Sequence, residues 1–137
     1  MGIFKNIFKK NYAVPEFDFI KSYEYKDKYF SRIKKWNWIN SEQISLIEKD
    51  ENGKIKMTTM EYWFQEMFLD ADGQKTIADY LNVIIKQFQD SKMEIPNDLD
   101  KFMIETLWSL KEDLSAIEFT DSPVNLSPEY KNPLEKQ

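Results

Sequence analysis

Glu24-Tyr25-Lys26 and Glu129-Tyr130-Lys131 each have the Glu-x-Lys spacing of half a metal-dependent nuclease site, with Glu16 following Pro15 and Pro128 close by. Such a site needs its acid and lysine on a buried strand beside a second acid, so that a metal and a phosphate can be held together. The second copy falls in a Pro-containing tail, and the charge of the main body is wrong for a nuclease. Asp70-Ala71-Asp72-Gly73 and Asp50-Glu51-Asn52-Gly53 look like pieces of a calcium loop. That loop requires oxygen ligands at its first, third, fifth and twelfth positions. Aligned on Gly73, the first position is Phe68; aligned on Gly53, the first is Glu48 but the twelfth is Thr59. Both segments read as turns. A glycosidase needs two carboxylates across a cleft, yet with 24 Asp and Glu such pairs are inevitable and carry no information.

The missing residue types exclude more. There is no Cys and no His, which removes disulfides, thiolate nucleophiles, imidazole bases and the usual transition-metal ligands. Three Gly in all leave no phosphate-cradling loop. The expectation is a protein that is not an enzyme, with no catalytic residue, no metal ligand and no cofactor.

The 137 residues suit one domain with an added arm or tail, and 42% are apolar, enough for a core. Aromatic residues make up 15%, a heavy load that points to rings at a surface meeting a partner. Residues 1–40 hold nine basic residues (Lys5, Lys9, Lys10, Lys21, Lys26, Lys28, Arg32, Lys34, Lys35) against four acids. Residues 41–137 hold ten basic against twenty acidic residues, for a chain total of −5. An acidic body repels phosphate backbones, so nucleic acid is not the expected partner. No run of 18 apolar residues exists and Met1 to Lys10 lacks the apolar stretch of a secretory signal, so the cytoplasm is the expected location.

Hydropathy patterning divides the chain into a basic aromatic arm packed on the domain (1–40), a body (41–119) and a C-terminal tail (120–137). Ile3, Phe4, Ile7 and Phe8 line one face of a short helix, either docked on the domain or, as the lesser reading, lying on a membrane. Pro15 breaks the arm, and the spacing of Phe30 and Ile33 predicts a short helix over 27–35 after an extended piece. Residues 43–58 predict a β-hairpin turning at Asn52-Gly53, with Ile55 and Met57 on one face and lysines on the other. Met60, Trp63, Phe64, Met67 and Phe68 form a helical stripe over 59–71, with Thr58 and Glu61 as a capping box and Gly73 as its stop. Ile77, Tyr80, Leu81, Ile84 and Phe88 mark a second helix over 75–91. Leu99, Met103, Thr106, Leu107, Leu110 and Leu114 mark a third over 97–116, capped by Asn97 or Asp98. Ile117-Glu118-Phe119 reads as extended, and Pro123, Pro128 and Pro133 predict an extended or disordered tail that could also lie along its own domain.

A hairpin followed by three helices is the order of a winged-helix-like α+β body. The segment Lys54 to Thr58, the helix from Met60 to Asp70, Asp72-Gly73 with Thr76, and the helix from Asp98 to Leu114 resemble, over 43–119, the PqqD-like family of peptide chaperones and leader-peptide recognition elements. The short close Ala116-Ile117-Glu118-Phe119 is similar to that family's last strand, without its glycine. The resemblance implies a peptide bound as an added strand beside the hairpin and against the third helix. The residues it designates are Lys54, Ile55, Lys56 and Met57 on the strand, and Lys101, Ile104 and Trp108 on the helix. Equally, the arm could simply cover Ile104 and Trp108. DNA binding by the third helix is disfavoured, because Asp98, Asp100, Glu105, Glu112 and Asp113 outnumber Lys101 and Lys111. The expected function is therefore a peptide- or protein-binding module. The alternative is an immunity protein whose acidic, aromatic surface caps the basic active site of a bacterial toxin.

Overall fold

A computed structural model describes residues 13–136, so the expected helix over 1–10 lies outside the described residues. Six strands and four α-helices follow in the order β1 (Tyr29–Arg32), β2 (Lys35–Trp38), β3 (Ile44–Lys49), β4 (Ile55–Thr59), α1 (Tyr62–Asp70), β5 (Asp72–Thr76), α2 (Ile77–Asp90), α3 (Leu99–Glu112), β6 (Ile117–Thr120) and α4 (Pro128–Lys131). Single 3-10 turns stand at Ile20–Ser22 and Leu134–Lys136. The strands form two small antiparallel sheets, β5-β1-β6 and β2-β3-β4, and the class is mixed α+β as expected.

The hairpin forms as its turn chemistry dictates. Asp50 Oδ1 accepts from the backbone N–H of Asn52 and of Lys54, and Gly53 takes φ +77°, which a side chain would resist. The helix that follows starts later than expected. Thr58 and Thr59 are still in β4, opposite Leu46 and Ser45, so the Thr58–Glu61 capping box is not made and Glu61 stands at the N-cap without a side-chain bond. Gly73 is not a helix stop either. It sits inside β5, and the helix closes earlier through the Ala71 N–H to Phe68 O bond. The second helix is capped by Thr76, whose Oγ1 accepts from the Asp79 N–H at 3.1 Å. Its helical span begins at Ile77, after Lys75 and Thr76 have paired in β5.

The expected helix over 27–35 is absent; β1 and β2 occupy that stretch. β1 is the middle strand of its sheet, with Ser31 opposite both Asp72 and Glu118. Phe30, Ser31 and Arg32 are consecutively buried, which erases the alternation by which a strand is recognised. Residues 29–38 thus contribute a strand to each sheet instead of lying over a finished body. Ahead of them, the turn at Ile20–Ser22 is fastened to α3 by the buried Asp100 carboxylate, which accepts from the Ile20 N–H at 3.0 Å.

Met67, Phe68, Met103, Leu107, Leu110, Ile84 and Ile117 fill the core between the helices and the β5-β1-β6 sheet, where Phe30 packs on Tyr80 at 5.1 Å. Ile44, Leu46 and Trp36 supply the buried face of the other sheet. Gln65 closes the end of that sheet: its Oε1 accepts from the Ile44 N–H and its Nε2 donates to the Glu42 carbonyl, both at 2.8 Å.

The tail is an ordered strap. Val124 N–H bonds to Gly73 O along the outer margin of β5, and the Gln74 amide donates to Val124 O. Further on, Tyr130 and Lys131 present their carbonyls to Arg32, Trp36 Nε1 donates to Tyr130 O, and Glu135 N–H reaches Asn37 Oδ1. The strap therefore touches the edge strands β5 and β2 of both sheets.

Candidate functional site

The residues singled out on the strand and those on the third helix occupy two surfaces. Lys54 precedes β4, and Ile55, Lys56 and Met57 lie within it, on the margin of β2-β3-β4 opposite to the one the strap covers. Among the described residues no strand pairs with the outer side of β4. The Asp50 N–H to Lys54 O bond sets the phase of the ladder. In an antiparallel pair, facing residues alternate between bonded and non-bonded. Lys56 and Thr58 therefore bond inward to β3, and the amide and carbonyl groups of Ile55, Met57 and Thr59 point outward, free to pair with another chain.

The side chains alternate with the same period. Ile55 and Met57 stand 65% and 57% exposed, beside half-buried Ile47 opposite Met57. Exposed apolar side chains next to unpaired backbone are what a docking segment covers. Lys54 and Lys56 flank them on the other face. Lys49 is on β3 and Lys35 on β2, where Lys35 pairs with Glu129 at 3.9 Å. Lys34 pairs with Glu48, and burial followed by the charge of Lys56 lowers its ammonium below the ordinary lysine value. The β4 margin thus sets Lys54 and Lys56 beside exposed Ile55 and Met57, with Asp50 and Glu51 in the adjoining turn.

On the helix, Ile104 is buried, whereas Trp108 is 41% exposed and Lys101 points to solvent with Glu105 3.9 Å away. Trp108 stacks on Tyr25, with ring centroids 6.1 Å apart and planes 11° apart, and Lys111 Nζ lies 5.0 Å from the Trp108 ring centre. Tyr23, Tyr25, Ile104 and Trp108 line a hollow of about 530 Å³. The arm thus covers Ile104 and shields one face of Trp108. The Tyr23 hydroxyl is buried there without a partner, and burial, then the charges of Tyr25 and Glu24, push it up to about 12. Among the described residues no hydrogen bond or ion pair joins Lys54–Met57 to Lys101, Ile104 or Trp108. Lys34 spans the interval, bonded to Glu48 of β3 and to the Leu114 carbonyl just beyond α3.

The motifs weighed for catalysis take structural positions. Tyr25 of the first Glu-x-Lys stacks on Trp108, and the second forms most of α4, with the Tyr130 and Lys131 carbonyls given to Arg32. Asp72 Oδ1 accepts from the Gln74 N–H and its other oxygen pairs with Lys75. Among the described residues no helix is long and apolar enough to cross a membrane, and no three Asp, Glu, His or Cys side chains gather to hold a metal ion.

Sequence reasoning missed Arg32. It is 7% exposed, and its guanidinium donates to the carbonyls of Leu69 (2.7 Å), Tyr130 (2.8 Å), Lys131 (3.2 Å) and Ala71 (3.4 Å). Burial lowers its basicity, partly opposed by Asp72 and Asp70. In sequence it was one of nine basic residues in the arm, with no local sign of burial. Compared with known proteins, the chain matches no family model, no curated protein and no solved structure.

Proposed function

We propose that this chain is a non-enzymatic binding module that takes an extended segment of a peptide or protein as an added strand along β4. The observation that carries the reading is the outer margin of β4: among the described residues no strand pairs with it and Ile55 and Met57 stand exposed along it, whereas the strap lies against the other edge strand, β2, through the Trp36 and Asn37 side chains. Backbone pairing supplies affinity in this mode, and side chains on alternate positions supply selectivity. Here the alternation offers an apolar contact at Ile55 and Met57 and a basic one at Lys54 and Lys56, so the preferred segment alternates apolar and acidic residues. This reading keeps the strand half of the PqqD-like leader-peptide mode. The winged-helix-like comparison rests on a hairpin and three helices in sequence, with β5 inserted between the first two helices. The exposed part of Trp108 then forms a second contact for a longer partner.

The test is titration of the full chain with a peptide of alternating Val and Glu, followed by amide chemical shifts. Ile55, Met57 and Thr59 amides should shift first. Met57→Pro removes an outward N–H that the hairpin does not use, and should weaken binding at least tenfold while the β3 amides stay protected from exchange. A peptide that binds Met57→Pro and the parent protein equally would sink the reading, as would shifts confined to α3.

A further inference from the structure

A second hollow, of about 410 Å³, opens between α1 and α2, built of residues that the β4 margin does not use. That volume is within the ordinary range for small-ligand sites, about 300–1,000 Å³. Its wall is aromatic and apolar. Trp63 stacks on Phe88 with centroids 6.1 Å apart and planes within 6°, Tyr62 meets the Trp63 ring edge-on at 5.3 Å, and Met93 stands at the lip. Its polar groups include two carboxylates, Glu66 and Asp70, one turn apart on the same helix. The Tyr80 hydroxyl donates to Asp70 Oδ2 at 2.7 Å and fixes that carboxylate.

The nearby cations are committed elsewhere. Lys75 Nζ binds the Asp70 carbonyl oxygen and the Asp72 carboxylate, both at 3.0 Å, and Arg32 spends its donors on backbone carbonyls. Neither lines the hollow. A space lined by aromatic rings and edged by two like charges, with no cation among its lining residues and Lys75 Nζ 5.9 Å from the Tyr80 ring centre, favours one chemical complement. An anion is repelled, and a neutral molecule leaves the carboxylates desolvated. A small divalent metal ion demands six or more oxygen ligands, which the aromatic wall cannot give. An alkylammonium satisfies both halves, by attraction to the ring faces and to the carboxylates.

We propose that the hollow between α1 and α2 binds an organic ammonium group, with Trp63 and Tyr62 as its aromatic contacts and Glu66 and Asp70 as its counter-charges. The Glu66 carboxyl is held above its ordinary value by burial and then by the charge of Asp70, the condition that an incoming cation relieves. The group is a free amine or the side chain of a lysine on a partner.

The full chain is titrated with butyltrimethylammonium, with its uncharged carbon isostere, and with Nα-acetyl-lysine methylamide, reading the Trp63 indole N–H resonance, assigned by its loss in Trp63→Phe, in the parent and Glu66→Gln, and the backbone amide resonances of Glu66 and Asp70 in the two Trp63 variants. The quaternary amine should saturate the shift and the neutral isostere should bind at least about fivefold more weakly. Glu66→Gln, which keeps the shape of the side chain, should weaken the cation several-fold without changing the isostere. Trp63→Ala should weaken the cation about tenfold, in line with cation–π strengths at partly exposed sites, and Trp63→Phe should fall between, as a fold control. Tighter binding of the lysine derivative assigns the site to a protein side chain, and tighter binding of the quaternary amine to a free ligand. Equal affinity for the isostere, indifference to Glu66→Gln, or no saturable shift with either cation overturns the proposal.

Discussion

Arg32 Nε donates to the Tyr130 carbonyl at 2.8 Å, joining the middle strand of one sheet to a residue 98 positions later. The same carbonyl accepts from Trp36 Nε1 at 2.8 Å, from the edge strand of the other sheet. One oxygen of the strap is therefore where the two sheets are tied together.

Replacing Arg32 tests that tie. A buried acceptor that loses its donor costs about 1–3 kcal/mol, and part of that returns when water reaches it. With the Leu69, Ala71, Tyr130 and Lys131 carbonyls affected, Arg32→Met should lower stability by roughly 2–4 kcal/mol in urea unfolding. Arg32→Lys should recover only a minor part, because an ammonium cannot bridge four acceptors spread around a planar fork. Full stability in Arg32→Met would show that the strap holds without it.

Gly73 has φ +78°, and a Cβ there would collide with the Val124 carbonyl oxygen. Gly73→Ala should cost about 1–3 kcal/mol through backbone strain of this kind and detach residues 122–126 from β5. Faster protease cleavage near Val124, at protease levels that leave the parent intact, is the expected reading. Unchanged cleavage would mean that the close approach relaxes freely.

The unpartnered Tyr23 hydroxyl should be dispensable. Tyr23→Phe keeps the ring between Phe19 and Tyr25 and removes the buried oxygen, so stability should rise by about 1 kcal/mol. The folded protein holds the Tyr23 proton from the ordinary 10 up to about 12, so the unfolded chain releases it first. Stability from this group is present below pH 10 and is lost as pH climbs through that interval. Ultraviolet titration should show a late-ionising tyrosine that disappears in Tyr23→Phe.

Glu66 acts with the same sign at acid pH. Its carboxyl is raised by burial and by Asp70, so over the interval just above the ordinary carboxylate value the folded state holds a proton that the unfolded state has released. Stability from this group therefore falls as pH rises through that interval and stays lowered at neutral pH. Glu66→Gln should raise the melting temperature at pH 7 and have little effect at the lower end of the interval. A variant less stable than the parent at pH 7 would show that the carboxylate is held by a partner.

The parts that were legible in sequence are those with local signals. Asp50, Asn52 and Gly53 announced the hairpin turn, the spacing of Ile77, Tyr80, Leu81 and Ile84 the buried face of α2, and the leucine spacing of α3 its own. Thr58 and Glu61 had the spacing of a cap, but pairing of Thr58 with Leu46 won over the cap. The strand β1 was hidden because both its neighbours come from much later in the chain and burial on both faces left no alternation to read. By contrast β2, Lys35-Trp36-Asn37-Trp38, does alternate and pairs with the next strand, a signal that the aromatic, basic composition of the arm masked. Of the site, Ile55 and Met57 were readable as an apolar alternation. Trp63 and Phe88 read as ordinary core positions, because a side chain that lines a hollow has the same helical spacing as one that fills it.

The strap fixes an order of events during synthesis. Gly73 and Trp36 are translated long before Val124 and Tyr130, the residues that cover them. Until residues 124–136 leave the ribosome, the margins at β2 and β5 stand as bare as the one at β4. A nascent or clipped chain ending near residue 121 should therefore stick to its own copies through margins that the finished molecule no longer offers.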